Sequence, residues 1–314
     1  MTPESRERAI GWAWVVALVI IWTGFHLSGR LGAQLTLTPY DLTSLRFFVA
    51  GVIFLPWLLR HGLAGLSFLQ AFLLAMTAGP GFSIFAFGGY HFAPTAHGST
   101  ILAGALPLFT APFAWWLAGE RLGPIRAFSV SLITAGIVFL IIDAAGPNSG
   151  ERQWLGDILF AVGAASWSLF GVLARKWNVA PMRSAAIVAT FTAATFTPFH
   201  LLFLPSAILQ APWQEIAGQW VFQGVIMFGG STFGYPRAVA ALGATPTATA
   251  VALVPVASAI LAWIWLGEAL SAVAVGGVAL VIMGTLVTAF PRLRRDQVES
   301  SVIQSATSPN ATTK

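Results

Sequence analysis

Residues 105–122 read ALPLFTAPFAWWLAGERL, and residues 253–270 read LVPVASAILAWIWLGEAL. Each is an apolar stretch with proline at its third position, closing on Gly-Glu-x-Leu. Pro107 and Glu120 thus return as Pro255 and Glu268, 148 residues later. A second pair follows the same order: Trp22-x-x-Phe25-x4-Arg30 returns as Trp167-x-x-Phe170-x4-Arg175, at an offset of 145. Two matches in one order, each at the same place within its helix, describe a duplicated chain.

Outward from these stretches the chain stays apolar. Of its 314 residues 57% are hydrophobic and 9% charged, and the mean hydropathy is +0.79. Soluble domains carry about 25% charged residues, so lipid is the solvent for much of this surface. A helix needs about 20 apolar residues to cross a hydrocarbon core of about 30 Å. On that measure ten spans are predicted, near 10–30, 40–59, 68–91, 94–118, 124–143, 155–175, 184–204, 219–239, 244–266 and 271–290. Arg6 and Arg8 precede the first of them, as in a signal peptide, but no A-x-A-like cleavage site follows, so a transmembrane helix is expected there. The expected fold is all-α and integral to a membrane: two five-helix repeats around a central cavity. Residues 10–143 form the first repeat and 155–290 the second, joined by a linker at 144–154. Residues 1–9 and a polar, Ser- and Thr-rich tail at 291–314 flank them. Five is odd, so the second repeat stands inverted, as in many secondary transporters.

Charge sets the orientation. With the N-terminus inside, 13 of the 16 Lys and Arg fall on the inner side, and only Arg30, Arg46 and Arg152 on the outer. Both termini are therefore expected in the cytoplasm. The net charge of +5 is scattered singly, which gives no footprint for nucleic acid. With no cysteine, disulfides, thiolate catalysis and Cys-based metal sites are excluded. No Walker loop, His-Glu-x-x-His or nucleophile elbow appears. Neither an enzyme, a cofactor nor a metal is expected.

The same residues carry a family resemblance. The tryptophan-bearing first helix of each half, Arg46-Phe47-Phe48, Ala93-Pro94-Thr95-Ala96 and the two Pro…Gly-Glu helix ends resemble the EamA-type branch of the drug/metabolite transporter superfamily. Within it the chain looks most like the YddG-type amino-acid exporters. The resemblance covers residues 10 to 290 and implies a small-molecule transporter of a bacterial inner membrane. The second half departs from the pattern at Ala269, where the first has Arg121, and lacks a clear counterpart of Arg46.

Eleven of the 13 tryptophans lie near predicted helix ends, where interfacial belts account for them. Trp22 and Trp167 remain, each about twelve residues, or about 18 Å, into its span from opposite sides. Both belong near the midplane, with Phe25 and His26 on the face of Trp22 and Phe170 on that of Trp167. These five are the candidate substrate residues. Tyr90, His91 and His97, in the outer half, are candidates for the pathway. Arg46, deep enough to need a partner, and Arg237 are candidate gate or structural positions. Pro107 and Pro255 are expected to kink their helices, and Glu120 and Glu268 to anchor helix ends. No Asp or Glu falls mid-span, and the five histidines are spread over both faces with no carboxylate motif. The centre also lacks paired Lys or Arg, which disfavours phosphorylated substrates. The expected partners are the bilayer and a zwitterionic amino acid or amphipathic metabolite, carried by alternating access without an obligate protein partner. A non-amino-acid substrate, a passive channel and, remotely, a membrane enzyme stay open on the sequence.

Overall fold

The computed structural model describes residues 2–119, 123–146 and 150–287. Glu120, Arg121 and the 291–314 tail lie outside the described residues. Every regular element among the described residues is helical: α1 (Pro3–Ala33), α2 (Pro39–His61), α3 (Phe68–Ala78), α4 (Pro80–Gly89), α5 (Thr95–Gly104), α6 (Leu106–Ala118), α7 (Pro124–Ala144), α8 (Gln153–Lys176) and α9 (Pro181–Phe203). Then come α10 (Trp213–Gln219), a π-helical segment (Trp220–Gly229), α11 (Gly230–Leu242), α12 (Ala244–Val251), α13 (Val254–Leu266) and α14 (Ala272–Val287).

Local sequence sets these boundaries. Proline stands in the first turn of seven helices, where its missing N–H has no partner to lose. The Thr38 and Ser67 hydroxyls cap α2 and α3, and Asp41 and Gln70 complete the two capping boxes. α6 and α13 begin and end 148 residues apart. Each stops on a left-handed glycine, Gly119 (φ 69°) and Gly267 (φ 68°), which other residues adopt at a steric cost. Pro107 and Pro255 each take the second position after a break in the helix, which splits α5 from α6 and α12 from α13.

Eight helical stretches are long and apolar enough to cross a membrane: α1, α2, α3–α4, α5–α6, α7, α8, α9 and α12–α13. The two other expected spans differ. The one expected at 219–239 is a composite of α10, the π segment and α11, in a stretch where Gly218, Gly224, Gly229 and Gly230 weaken regular α-helix. α14 is described over Ala272–Val287, shorter than a full crossing.

Small residues let the helices approach. α2 lies on α9, and a Cβ at Gly51 would stand 2.5 Å from the Ala193 methyl. The interior holds one apolar cluster around Phe25, Leu42, Phe87, Tyr90 and Phe160, and another around Phe47, Phe54, Leu74, Ile187 and Phe228. Outside, Trp115, Trp116, Trp263 and Trp265 are exposed along with many Leu, Ile and Phe side chains. Such a surface suits hydrocarbon.

Candidate functional site

One aromatic row runs through the interior from α1 to α8. Phe25 stacks on Phe82 at 6.0 Å, Phe82 meets Trp167 at 5.0 Å, and Trp167 meets Phe170 at 5.2 Å. Trp167 remains 36% exposed, and Gly171, one turn further on the same face, has open space where a side chain would stand. The Trp22 indole belongs to another group. It stacks on Tyr235 at 5.9 Å, and its Nε1–H donates to Ser231 Oγ at 2.9 Å, tying α1 to α11. The i, i+3 spacing that set Trp22 and Phe25 on one face does not give them shared partners.

Arg46 stands at the α1 end of the row. Its guanidinium carbon lies 5.2 Å from the Phe25 ring centroid and 5.5 Å from that of Phe47. The side chain is buried, and Nε and Nη1 have no hydrogen-bond partner among the described residues. The π segment packs beside it, with the Gly224 Cα facing Val49 and the Arg46 carbonyl. On that segment Gln223 is buried and donates through Nε2 to Ser28 Oγ at 2.9 Å, while its Oε1 is unpartnered.

The end of the bundle that carries Arg30 is closed by polar contacts. Arg30 Nε donates to Glu268 Oε1 at 2.6 Å, and Nη1 donates to the Tyr90 carbonyl. Glu268 Oε2 accepts from the Thr95 N–H at 2.8 Å, so a carboxylate from behind α13 caps α5. Tyr90 Oη stands 2.5 Å from His26 Nδ1. His97 is enclosed: Nδ1 lies 2.9 Å from Asp157 Oδ1 and Nε2 lies 3.1 Å from Asp143 Oδ2. Gln153 and Ser271 also reach Asp143. Both His97 contacts are hydrogen bonds together only when the ring carries two protons or a carboxyl keeps one. Nearby, Asp41 accepts from Thr38, Ser206 Oγ and the Ala207 N–H. His200 Nε2 lies 3.2 Å from Asp41 Oδ1 but off hydrogen-bond alignment, while Nδ1 meets Ser44 Oγ at 2.9 Å.

These contacts correct the expectation that the histidines pair with no carboxylate. His97 and His200 both do, with residues 60 and 159 positions away. A signal was present, since His97, Asp143 and Asp157 all end predicted spans on one side. His91 is exposed, its ring against the Phe87 carbonyl, away from the row. Arg237 pairs with Glu7 at 2.6 Å, and both are well exposed at the other end of α1. Glu268, in the turn after α13, pairs with Arg30.

Comparison with known proteins places this arrangement. The chain matches the EamA-like transporter family twice, over residues 9–142 and 154–290. It is 29% identical to a protein of Ancylobacter novellus named aromatic amino acid exporter YddG, over 60% of this chain and 66% of that one. An uncharacterized transporter of Archaeoglobus fulgidus is 25% identical over 61% of this chain and 64% of its own length. The chain thus spans just under two thirds of these relatives. An uncharacterized transporter of Clostridium kluyveri is 25% identical over 88% of this chain and 92% of its own. A solved crystal structure shares the fold with a TM-score of 0.57 at 22% identity, covering 92% of this chain and 98% of that one.

Proposed function

The chain belongs to the EamA-like transporter family, a family of transporters rather than enzymes, and we propose that it exports amino acids or related small metabolites by alternating access. The observation that carries this reading is the aromatic row from Phe25 to Phe170, which joins α1 and α4 to α8 and has Arg46 at its end. Rings offer apolar area to a side chain and a π-face to an ammonium group. The name of the Ancylobacter relative agrees with such a substrate.

In this reading the bundle crosses an inner membrane ten times, with both termini cytoplasmic and the two halves inverted. The equal bounds of α6 and α13 support a repeat, and the pairing of α7 (from Pro124) with α14 (from Ala272) follows the same offset. Residues at the ends of α1, α4, α7 and α13 meet with the starts of α5 and α8, as alternating crossings require. The Arg30 end is then the periplasmic gate, closed here. The Glu7–Arg237 pair lies at the cytoplasmic end.

Counterflow in proteoliposomes tests the reading. Vesicles loaded with unlabelled amino acids should accumulate labelled L-phenylalanine, and Trp167→Ala should lower the initial rate about tenfold or more through loss of the row's accessible ring, as should Trp22→Ala through loss of the tie between α1 and α11. Full rates in both variants would remove the two indoles from the mechanism. No accumulation of any amino acid by folded, inserted protein would sink the amino-acid assignment.

A further inference from the structure

The buried and half-buried acidic residues near the closed end are each engaged, whereas Arg46 is buried with two donors that have no partner among the described residues. Asp41, one and a half turns before Arg46 on α2, is engaged by Thr38, Ser206 and Ala207 and faces His200. Glu215 accepts from the Leu37 N–H, Glu268 takes Arg30, and Asp143 and Asp157 take His97. Arg46 lies against two rings, and among the described residues it has no carboxylate partner and two buried donors unpaired. It stands seven residues into α2, about 10 Å from that helix end. A buried charge without a partner costs several kcal/mol, and in a membrane an ionisable group so placed marks the path of a substrate.

We propose that Arg46 is the carboxylate-binding residue of the transport site. Resting on the exporter reading above, this assigns the substrate class: an amino acid bound by its α-carboxylate. The carboxylate takes the Nε and Nη1 donors, the fork that matches two oxygens at once. The substrate side chain then extends along Phe25 and Phe82 toward Trp167. Phe25 and Phe47 both lie against the guanidinium, which orients the fork before the substrate arrives. An amine of equal size would leave both donors unpaired, and an amide, whose carbonyl accepts from one donor while its NH2 faces the other, would leave one; the site rejects each for the reason that any buried hydrogen-bonding site rejects an analogue lacking an acceptor.

The test is competition against counterflow of labelled L-phenylalanine in proteoliposomes, with unlabelled L-phenylalanine and L-phenylalaninamide as competitors. In the wild type the carboxylate form should compete about tenfold or more better than the amide. Arg46→Gln, checked for a monodisperse and cooperatively melting protein, should bring the two to within about twofold of each other. Should Arg46→Gln fail to fold, Arg46→Lys carries the test: a point charge without the fork should reduce the preference about threefold or more. Equal competition in the wild type, or an unchanged preference in the folded variant, overturns the subsite while leaving an amino-acid carrier. Absence of L-phenylalanine counterflow by inserted wild-type protein overturns the exporter reading for this substrate, and the subsite with it.

Discussion

His97 shows how far a single residue depends on its neighbours. With no exposed surface, it stands between Asp157 and Asp143, so its imidazole balances two carboxylates that would otherwise repel in a dry site. His97→Gln cannot serve both carboxyl groups through two ring nitrogens, and breaking a buried pair from one side typically costs about 3–5 kcal/mol. The expected result is a marked drop in thermal stability in detergent. Asp157→Asn added to His97→Gln should recover part of the loss. Additive losses in this double-mutant cycle would show that the two side chains do not interact. The Arg46 guanidinium differs from His97: it lies against Phe25 and Phe47, and its Nε and Nη1 have no partner among the described residues.

At the scale of elements, close approach governs the bundle. α2 and α9 meet through Gly51, Ala189 and Ala193, with the Ala189 carbonyl 3.1 Å from where a Gly51 Cβ would stand. Backbone cannot yield as a flexible side chain can. Gly51→Leu must therefore push the helices apart, at about 1–3 kcal/mol or more for overpacking, read as a lower apparent melting temperature. Exposed Phe48 and Val52, on either side of it along α2, tolerate exchange to Leu if that face meets lipid. A melting temperature unchanged by Gly51→Leu would mean that the α2–α9 contact is looser than described. The π segment opposite α2 follows the same logic: Gly224 lets it settle against Val49 and the Arg46 carbonyl, and the wider π turn sets Gln223 toward Ser28.

For the whole molecule, the Arg30–Glu268 pair spans from the first helix to the turn after α13 and fastens the closed end. Removing its charge should favour the open form. The chain has no cysteine, so one introduced thiol reports alone. Ser83, buried beside Phe82 with an unpartnered hydroxyl, accepts Cys at nearly equal volume. A membrane-impermeant thiol reagent should label Ser83→Cys slowly, and about tenfold faster with Glu268→Gln added, a shift of about 1.4 kcal/mol in the opening equilibrium. Equal labelling rates would remove this pair as a latch. Much of the molecule was legible in the sequence by itself. Apolar length and the Pro and Gly-Glu punctuation at 105–122 and 253–270 set helices and breaks, because those depend on neighbours within a turn or two and on the solvent. The pairing of His97 with Asp143 and Asp157 was not read from the sequence. Only tertiary structure decided the partners: that Trp22 turns to Tyr235 while Phe25 turns to Phe82, that His91 stays outside, and that Arg46 is buried with Nε and Nη1 unpartnered among the described residues. A helix face is about 100° wide and borders several neighbours at once, so periodicity can say that a side chain points inward but not which side chain it meets there.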